Sequence, residues 1–311
     1  MAKWTTADIP DQSGRTVLIT GANSGLGLRS AQALAAKGAR VLLACRSPER
    51  GRATQAEVAA SAAVEPELVE LDLADLASVR KAAAEVRDRT GDGLDVLMNN
   101  AGVMATPKRT TADGFELQIG TNHLGHAALT WLLMPALRER AGARVVTLSS
   151  LAHAYGTVDV DDLNFDRRRY QPVRSYCQAK LANLLFTLEL DRRLRAARLD
   201  ITSVAAHPGV SNTELTANSA RTRSLPPLVS NAVGRAVGLV TQPADQGALP
   251  QLHSATAPGV SGGQYIGPDG FREMRGHPAR AGISRAARDE RTARRLWEVT
   301  AELTGVSPDP A

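Results

Sequence analysis

Short apolar strands alternate with helices over much of the chain, and this alternation constrains the fold more than any other feature. The predicted strands are runs of β-branched and aliphatic residues at 15–20, 40–45, 67–71, 94–98, 144–149 and 200–205. The helices predicted between them lie at 26–37, 48–61, 76–89, 120–140 and 176–194. Apolar strands that alternate with helices pair in parallel and are covered on both faces. The sequence therefore predicts an α/β fold with a doubly wound parallel sheet in a single domain.

Size and composition describe an ordinary globular protein with few options for metal or disulfide chemistry. The chain has 311 residues, of which 43% are hydrophobic, enough for a buried core. The net charge of +5 comes mostly from arginines near the C-terminus and at 167–169, which suits anionic small molecules at least as well as nucleic acid. Cys45 and Cys177 are the only cysteines, which excludes a disulfide framework or a four-cysteine zinc site.

No segment predicts a membrane span or a secretion signal. Residues 1–10 lack an apolar stretch of signal-peptide length. The longest apolar segment, 227–240, is too short to cross a bilayer and carries Arg235. We therefore expect a cytoplasmic protein.

A glycine-rich turn at 20–27 follows the first strand and opens the first helix, which is the context that a dinucleotide site requires. Gly21 permits a tight turn, Gly25 lets backbone amides approach a pyrophosphate, and Gly27 lets the helix lie close to the sheet. The start of the helix then offers free N–H groups and a positive dipole to that anion. The glycine spacing differs from the commonest dinucleotide fingerprint, so a turn with a purely structural role is the alternative.

The end of the second strand indicates which dinucleotide would bind. A carboxylate at this position would hold the ribose hydroxyls of NAD, but the chain has Cys45, Arg46 and Ser47 there. A guanidinium suits the 2′-phosphate of NADP. The sequence therefore favours NADP(H) over NAD(H).

Tyr176 and Lys180 lie one helical turn apart and share a face. A phenol ionises near pH 10, and lowering its pKa to about 7 takes roughly 4 kcal/mol. One ammonium about 4 Å away supplies energy on the order of 4 kcal/mol at an effective dielectric constant near 20. The spacing thus predicts a tyrosine made acidic by lysine, and the alternative is an ordinary exposed pair without chemistry.

With the preceding motifs in place, the chain resembles the short-chain dehydrogenase/reductase family over residues 13–267. The resemblance implies a Rossmann fold, in which Asn99 of the 99–102 segment is expected to brace the sheet. It also implies a cofactor site formed by Gly21, Asn23, Ser24, Gly25, Leu26, Gly27, Arg46, Ser47, Asp72, Leu73, Asn100, Ala101, Gly102, Tyr176, Lys180, Pro208, Gly209 and Thr213.

The catalytic residues that the resemblance implies are Asn122, Ser150, Tyr176 and Lys180, with no metal. Tyr176 is expected to donate a proton to a carbonyl oxygen to which Ser150 hydrogen-bonds while hydride moves from nicotinamide to the carbonyl carbon. Lys180 would lower the phenol pKa and hold the nicotinamide ribose. Asn122 would help to position a water that resupplies the proton.

The interval between Ser150 and Tyr176 is about twice as long as the family usually shows. This insertion, 151–174, resembles the branch of retinol-dehydrogenase-like and protochlorophyllide-reductase-like enzymes, and we expect it beside the pocket mouth. It contains Tyr155 and Tyr170, which could be mistaken for the acid. Tyr155 is followed by an acidic residue at 159, and a proline at 172 separates Tyr170 from the next arginine, so Tyr176 is preferred.

Beyond residue 213 the strand and helix alternation ends. A substrate lid is predicted at 214–260, a last short strand at 262–267, and a C-terminal extension at 268–311 with an arginine-rich helix at 281–303. The lid would be apolar and would select a lipophilic substrate, because it carries Leu215, Leu225, Leu228, Val229, Val233, Val237 and Leu239. The arginines of this helix are expected to form a solvated face rather than a nucleic-acid patch. They are Arg285, Arg288, Arg291 and Arg295.

Several other residues suggest chemistry but have simpler interpretations. His123 and His126 could indicate a metal, but no third ligand is near, so helix packing is favoured. Cys177 is interpreted as a small buried filler, and His207 is assigned no chemistry. Segments 131–137 and 184–190 carry apolar residues on more than one face, which predicts deep burial or a homo-oligomer contact.

These observations predict an NADP(H)-dependent oxidoreductase that interconverts a carbonyl and an alcohol of a lipophilic small molecule. A second enzymatic hypothesis is reduction of a carbon–carbon double bond. The hypothesis from another class is a cofactor-binding regulator or scaffold without turnover, against which the intact set of Asn122, Ser150, Tyr176 and Lys180 argues.

Overall fold

The computed structural model describes residues 3–210 and 242–310. The strands in this part of the chain are β1 Thr16–Thr20, β2 Arg40–Cys45, β3 Glu67–Glu70, β4 Val96–Asn99, β5 Ala143–Leu148, β6 Ile201–Ala206, β7 Tyr265–Pro268 and β8 Pro278–Arg280. The helices are α1 Gly25–Ala35, α2 Pro48–Ala59, α3 Leu76–Thr90, α4 Leu117–Ile119, α5 Gly125–Arg138, α6 Pro172–Ala196, α7 Ala244–Thr256 and α8 Glu290–Thr304.

The strands of the described residues form one 8-stranded sheet in the order β3-β2-β1-β4-β5-β6-β7-β8. All neighbours pair in parallel except β7 and β8, which are antiparallel. The chain reverses direction across the sheet between β3 and β4, which is the switch point of a doubly wound fold. The predicted fold class is confirmed, and β8 is an edge strand that the sequence did not indicate.

Helices cover both faces of the sheet, and each face forms an apolar core. Successive side chains of a strand point to opposite faces, so each strand contributes to both cores. In β1, Leu18 joins the core formed with α3, α5 and α6. Its neighbours Val17 and Ile19 join the opposite core, formed with α1, α2 and α7. The strands therefore read as continuous apolar runs, which is why their sequence positions were predictable.

The two helices that carry the proposed catalytic residues differ from their predicted form. Helix α6 begins at Pro172, four residues before Tyr176, because proline is favoured in the first turn of a helix. The predicted helix 120–140 is interrupted by a π-helical turn, Gly120–Leu124, that contains Asn122. Such turns often mark functional positions, because they break the regular hydrogen-bond pattern of the helix.

The predicted lid is corrected in part. Its apolar residues from Leu215 to Leu239 lie outside the described residues. The later part, 244–256, forms α7, which is not a lid but a core helix packed on α1. Leu252 is buried there, and the Gln251 side chain donates to the Ser30 hydroxyl at 2.7 Å. The physical reason is that α7 connects two parallel strands, β6 and β7, and must cover the sheet between them.

Helix α8 covers α5 and α6 on the side away from the sheet. Trp297 is 3% exposed and stacks on Phe186 of α6, with ring centroids 5.4 Å apart. It also meets Trp131 of α5 edge-on at 4.9 Å. The second apolar faces of α5 and α6 are therefore buried within one chain, so they do not by themselves indicate an oligomer.

The arginine-rich helix is shorter than predicted and begins at Glu290, because the Asp289 carboxylate caps it by accepting from the backbone N–H groups of Arg291 and Thr292. The face with the arginines is exposed, as expected, and includes the i,i+4 ion pair of Arg294 with Glu290. Among the helices in ranges 3–210 and 242–310, none has the length and apolarity needed to span a bilayer.

Candidate active site

The candidate active site lies along the carboxyl ends of the parallel strands, where ligands bind in open α/β sheets. The glycine turn follows β1, Arg46 follows β2 and Asp72 follows β3. The segment with Gly102 follows β4, Ser150 follows β5 and the Pro208–Gly209 turn follows β6. The predicted residues are thus brought to one edge, except Thr213, which lies outside the described residues.

The glycine turn has little room for side chains. Gly21 has φ of +64°, and a Cβ atom there would lie 2.9 Å from the Cα of Ala101. A Cβ atom on Gly27 would lie 2.3 Å from the Gly21 carbonyl oxygen and 2.6 Å from the Asn100 amide nitrogen. The Asn100 side chain also donates to the Thr20 carbonyl at 2.7 Å. Glycine is therefore required at both positions for the turn, helix and sheet to meet this closely.

The start of α1 fits the pyrophosphate of a dinucleotide. Ser24 is the N-cap residue, and its side chain makes no capping hydrogen bond. The N–H groups of the first turn therefore have no acceptor from that cap and lie beside the tight backbone of Gly21 and Gly25. Asn23 is half-buried, and its backbone carbonyl accepts from the Thr54 hydroxyl of α2 at 3.4 Å, whereas Leu26 is buried.

The end of β2 presents a cation without a partner. Arg46 is exposed and its guanidinium makes no hydrogen bond or ion pair with the residues at 3–210 and 242–310. Ser47 caps α2 by accepting from the backbone N–H of Arg50 at 3.4 Å. Burial raises the pKa of the Cys45 thiol to about 11, so no anion forms beside Arg46. This corner fits a phosphate monoester better than a pair of hydroxyl groups.

The ends of β3 and β4 are fixed by hydrogen bonds to polar side chains. Asp72 accepts from the backbone N–H of Ala74 at 2.9 Å, which holds the turn after β3. Leu73 lies against α5, where a Cβ atom on Gly125 would come within 2.4 Å of the Leu73 carbonyl oxygen. Asn99 donates to the Thr130 hydroxyl at 2.9 Å and thereby links the sheet to α5. This contact agrees with the bracing role expected of Asn99.

Ser150, Tyr176, Lys180 and Asn122 come together beside Gly102. The Ser150 side chain lies next to the Tyr176 phenol and lowers its pKa. The Lys180 ammonium donates to the Leu148 carbonyl at 3.1 Å and lies 5.7 Å from the centroid of the Tyr176 ring. A Cβ atom on Gly102 would lie 3.7 Å from that ammonium and 3.1 Å from the Asn122 side-chain oxygen. Lys180 and Asn122 therefore flank Gly102, which follows the Ala101 that contacts Gly21. Lys180 also neighbours Tyr176, which lies next to Ser150, so the contacts join the four residues in a chain through Lys180.

The prediction that Lys180 acidifies Tyr176 is not met in this geometry. Burial raises the pKa of Tyr176 to about 12, and the hydrogen bond with Ser150 offsets this only in part. The ammonium is directed at the Leu148 carbonyl rather than at the phenol oxygen, and the energy of a charge pair falls with distance. Burial also lowers the pKa of Lys180 to about 8, which weakens it as a cation at alkaline pH.

The other tyrosines of the insertion have different surroundings. Tyr155 is 84% exposed. The Tyr170 hydroxyl donates to the Thr106 carbonyl at 2.8 Å and accepts from the Gln118 amide at 2.9 Å. Tyr170 therefore ties the insertion to the loop after β4 and to α4. Tyr176 is the one of the three whose phenol lies next to the Ser150 side chain.

A carboxylate anchors the middle of the insertion. Burial raises the pKa of Asp162, but the Arg168 guanidinium and backbone N–H groups donate to the carboxylate and bring the pKa down to about 2. The Arg168 guanidinium also donates to the Gln178 side chain of α6 at 3.0 Å. The insertion is thus packed against the helix that carries Tyr176, which is a role that the sequence did not reveal.

His207 belongs to the site, although the sequence assigned it no chemistry. It is fully buried at the end of β6, and its Nδ1 accepts from the Gly209 N–H at 3.2 Å. Its Nε2 then carries the proton and donates to the Glu273 carboxylate at 3.1 Å. Arg272 and Glu273 have φ of +51° and +58°, which is strained for side chains of this kind. No local pattern pairs these residues, because 66 positions separate them.

His123 and His126 are buried helix residues, as predicted. The His123 ring bonds to the Thr300 hydroxyl of α8 at 3.0 Å, and His126 bonds to the Thr20 hydroxyl at 2.8 Å. Burial lowers their pKa values to about 4 and about 3, so both are neutral at physiological pH. Cys177 is also buried, and burial raises its pKa.

Comparison with known proteins identifies relatives of the whole chain. A family model described as short chain dehydrogenase matches residues 15–224. Retinol dehydrogenase 13 from Homo sapiens is 40% identical over 296 residues, which cover 94% of this chain and 85% of that protein. Retinol dehydrogenase 12 from Homo sapiens is 41% identical over 296 residues, which cover 94% and 87%.

A solved structure agrees over nearly the full length. The crystal structure of an uncharacterized protein from Mycobacterium Paratuberculosis is 43% identical and superposes with a TM-score of 0.81 over 98% of this chain and 99% of that chain. Strands β1 to β6, the glycine turn and the Ser150, Tyr176 and Lys180 cluster lie within the segment that the family model matches. The chain therefore belongs to the short-chain dehydrogenase/reductase family, in its retinol-dehydrogenase-like branch, and is an oxidoreductase that acts on CH–OH or C=O groups.

Proposed function

We propose that this oxidoreductase uses NADP(H) to interconvert a carbonyl and an alcohol of a lipophilic substrate. The observation that carries the proposal is the grouping of Ser150, Tyr176, Lys180 and Asn122. The Ser150 side chain lies next to the Tyr176 phenol, and the Lys180 ammonium and the Asn122 side chain both adjoin Gly102. A general acid, a hydrogen-bond donor and a buried amine thus converge where a nicotinamide would lie.

The residues that would hold the cofactor line the carboxyl edge of the sheet. The N–H groups at Gly25 to Gly27 would bind the pyrophosphate, Asp72 and Leu73 would contact the adenine, and the Pro208–Gly209 turn would hold the nicotinamide carboxamide. When bound, the nicotinamide supplies or accepts a hydride. The protein has to orient the substrate carbonyl, exclude water and move a proton at the carbonyl oxygen.

Tyr176 is proposed as the proton donor for carbonyl reduction. Its pKa of about 12 keeps the phenol protonated at neutral pH, so the acid is ready before the carbonyl oxygen gains charge. Ser150 would hydrogen-bond to the same oxygen and stabilise its developing charge. The Lys180 amine faces Gly102 and is proposed to hold the nicotinamide ribose and to return a proton to the phenolate.

Arg46 supports the preference for NADP(H). Its exposed guanidinium has no partner in the described ranges, and the neutral Cys45 thiol replaces the carboxylate that would bind the ribose hydroxyls of NAD. A lipophilic substrate is supported by the relatives, because retinol dehydrogenases 12 and 13 are named for an apolar alcohol. The apolar residues predicted for the lid agree with that choice.

The function is tested by following NADPH absorbance with a panel of lipophilic and polar aldehydes and ketones. We expect turnover with the lipophilic carbonyls and a loss of roughly 10³-fold in Tyr176→Phe, because a positioned general acid contributes about 10²–10⁴-fold. Tyr155→Phe is the matched control, since that hydroxyl is exposed and away from Ser150. Equal rates for Tyr176→Phe and wild type would refute the assignment, and identifying the product separates carbonyl from carbon–carbon double-bond reduction.

Cofactor preference is tested by measuring the dissociation constants of NADPH and NADH. Arg46→Asp should weaken NADPH binding by more than about 10-fold and leave NADH nearly unchanged, since a charge-assisted hydrogen bond contributes about 1.5–3 kcal/mol. Arg52→Asp is the control for net charge, because Arg52 is exposed like Arg46 but lies on α2. An unchanged NADPH affinity in Arg46→Asp would show that another group binds the 2′-phosphate.

A further inference from the structure

We propose that His126 is a positioning residue that links the cofactor turn to Asn122, through an imidazole held in one tautomer between the Thr20 hydroxyl and the Asn122 carbonyl. The inference rests on the proposed function, since it assigns His126 to that site. His126 is not a catalytic residue, because its contacts are to protein groups that surround the site and not to reacting atoms.

The hydrogen bonds of His126 determine its tautomer. Nδ1 lies 3.0 Å from the Asn122 backbone oxygen, which can only accept, so Nδ1 carries the proton. Burial lowers the pKa of His126 to about 3, so the ring is neutral at working pH and Nε2 is left without a proton. The Thr20 hydroxyl, 2.8 Å away, must therefore donate to Nε2.

This donation completes the hydrogen bonds of Thr20. Its hydroxyl oxygen accepts from the backbone N–H groups of Asn100 and Ala101, both at 2.9 Å. The hydroxyl has one proton to give, and the competing acceptor, the Met98 carbonyl, is farther away at 3.3 Å. The donor and both lone pairs of a buried side chain are thus all used, which holds Thr20 in one orientation.

The contacts close into a ring around the segment that faces Lys180. Thr20 holds the N–H groups of Asn100 and Ala101 at one end. At the other end the Asn122 side chain accepts from the Val103 N–H at 2.8 Å and donates to the Val103 carbonyl at 2.9 Å. His126 joins Asn122 back to Thr20 and so fixes the spacing between the two ends of segment 100–103. Gly102, whose space adjoins Lys180, lies inside that ring.

Two substitutions separate the two hydrogen bonds. In His126→Asn the amide nitrogen can occupy the place of Nδ1 and still donate to the Asn122 carbonyl, but nothing reaches Thr20. In His126→Gln the amide oxygen can occupy the place of Nε2 and accept from Thr20, but the bond to Asn122 is lost. We expect His126→Asn to raise the NADPH dissociation constant about 10-fold with a smaller change in kcat. His126→Gln should lower kcat about 10-fold with nearly wild-type NADPH binding.

The controls distinguish this role from general packing. His123→Asn changes a buried histidine of the adjoining π-helical turn, which contacts Thr300 instead of Thr20, and the NADPH affinity of this variant should equal that of wild type. ¹⁵N NMR of the wild-type imidazole should show a protonated Nδ1 and an unprotonated Nε2 without any substrate or variant. The opposite tautomer, or equal effects of His126→Asn and His126→Gln on both parameters, would overturn the proposal.

The experiment also separates this inference from the proposed function. NADPH binding and the NMR tautomer are measured without turnover. If wild type binds NADPH with the expected tautomer but reduces no carbonyl, the proposed function fails and the link through His126 stands. If wild type reduces carbonyls but His126→Asn keeps wild-type NADPH affinity, the link fails and the proposed function stands.

Discussion

The cofactor side of the molecule, built on β1 to β4, and the C-terminal flank, residues 257–310, place their functional residues in different ways. On the cofactor side, several residues are placed by neighbours within a few positions, as when Ser47 caps α2 by accepting from the N–H of Arg50. In the C-terminal flank, Thr300 meets His123 across 177 positions and Glu273 meets His207 across 66. The first kind of placement leaves a local pattern in the sequence, and the second does not.

The largest expected effect tests whether the C-terminal flank belongs to the core. Trp297→Ala should lower the free energy of unfolding by about 3–4 kcal/mol, because large aromatic truncations in a packed core cost about 3–5 kcal/mol. Urea unfolding measures this, with the exposed Arg291→Ala as control, expected to change stability by less than about 0.5 kcal/mol. A loss below about 1 kcal/mol for Trp297→Ala would mean that the flank is only loosely attached.

The next effect concerns the cofactor side alone. Gly27→Ala should weaken NADPH binding about 100-fold, or about 2.7 kcal/mol, because the new Cβ atom would lie 2.3 Å from the Gly21 carbonyl and force the turn to move. Gly282→Ala in the flank is the matched control, since its nearest neighbour would be 3.4 Å away. Similar NADPH affinities in the two variants would contradict a cofactor site at the glycine turn.

Lys180 is in α6, outside both regions. Its replacement should raise the free energy of unfolding and abolish activity. Burial lowers its pKa from 10.5 to about 8, which corresponds to about 3 kcal/mol against the charged form. Lys180→Met removes this cost and also the hydrogen bond to Leu148, which contributes about 1 kcal/mol. We expect the cofactor-free variant to be more stable by about 2 kcal/mol at pH 7 and inactive.

The pH dependence gives an independent check on Lys180. The folded protein holds this proton less tightly than the unfolded chain, so unfolding takes up protons between the two pKa values. The destabilisation that comes from burying the charged Lys180 ammonium is fully present below about pH 8. It is relieved as pH rises from about 8 to 10.5. The stability advantage of Lys180→Met over wild type should therefore fall over this range and reverse to about −1 kcal/mol, because only the lost hydrogen bond to Leu148 then remains. A constant difference from pH 7 to 10.5 would show that the amine is not buried as a cation.

The smallest expected effect tests whether the C-terminal flank contributes to cofactor binding. Glu273→Gln removes the anionic acceptor of His207, whose other nitrogen holds the Gly209 N–H. We expect the NADPH dissociation constant to rise about 5-fold, or about 1 kcal/mol, as for one weakened hydrogen bond. Glu298→Gln, an exposed residue of α8, is the control. Unchanged binding in Glu273→Gln would confine the cofactor site to the first half of the sheet.

Much of the fold could be predicted because each strand is buried on both faces and therefore forms a continuous apolar run. The positions of Gly21, Gly27 and Asn99 were also predictable, since strand, turn and helix follow one another directly. The choice of Tyr176 over Tyr155 and Tyr170 agrees with the contact to Ser150. These features depend on residues that are close in sequence or on one repeated pattern.

The remainder depended on contacts that only the folded chain creates. The acidity expected of Tyr176 assumed an ammonium about 4 Å away in a moderately polar medium, but burial acts on both groups and raises the pKa of the phenol. The lid was predicted through 260 because α7 has weak helical periodicity, and its role as a crossover is visible only once β7 is placed. The roles of His126 and His207 follow from partners on distant elements.

The position of α8 has a consequence for self-association. Trp297 already occupies the outer sides of α5 and α6, between Phe186 and Trp131, and the Arg193 guanidinium of α6 lies over its ring, 4.7 Å from the ring centroid. A second copy could dock on those sides only after displacing α8 and giving up these aromatic contacts. Dimerisation at this surface would compete with α8 of the same chain. The effective concentration of α8 does not fall on dilution, so each chain covers its own apolar surface.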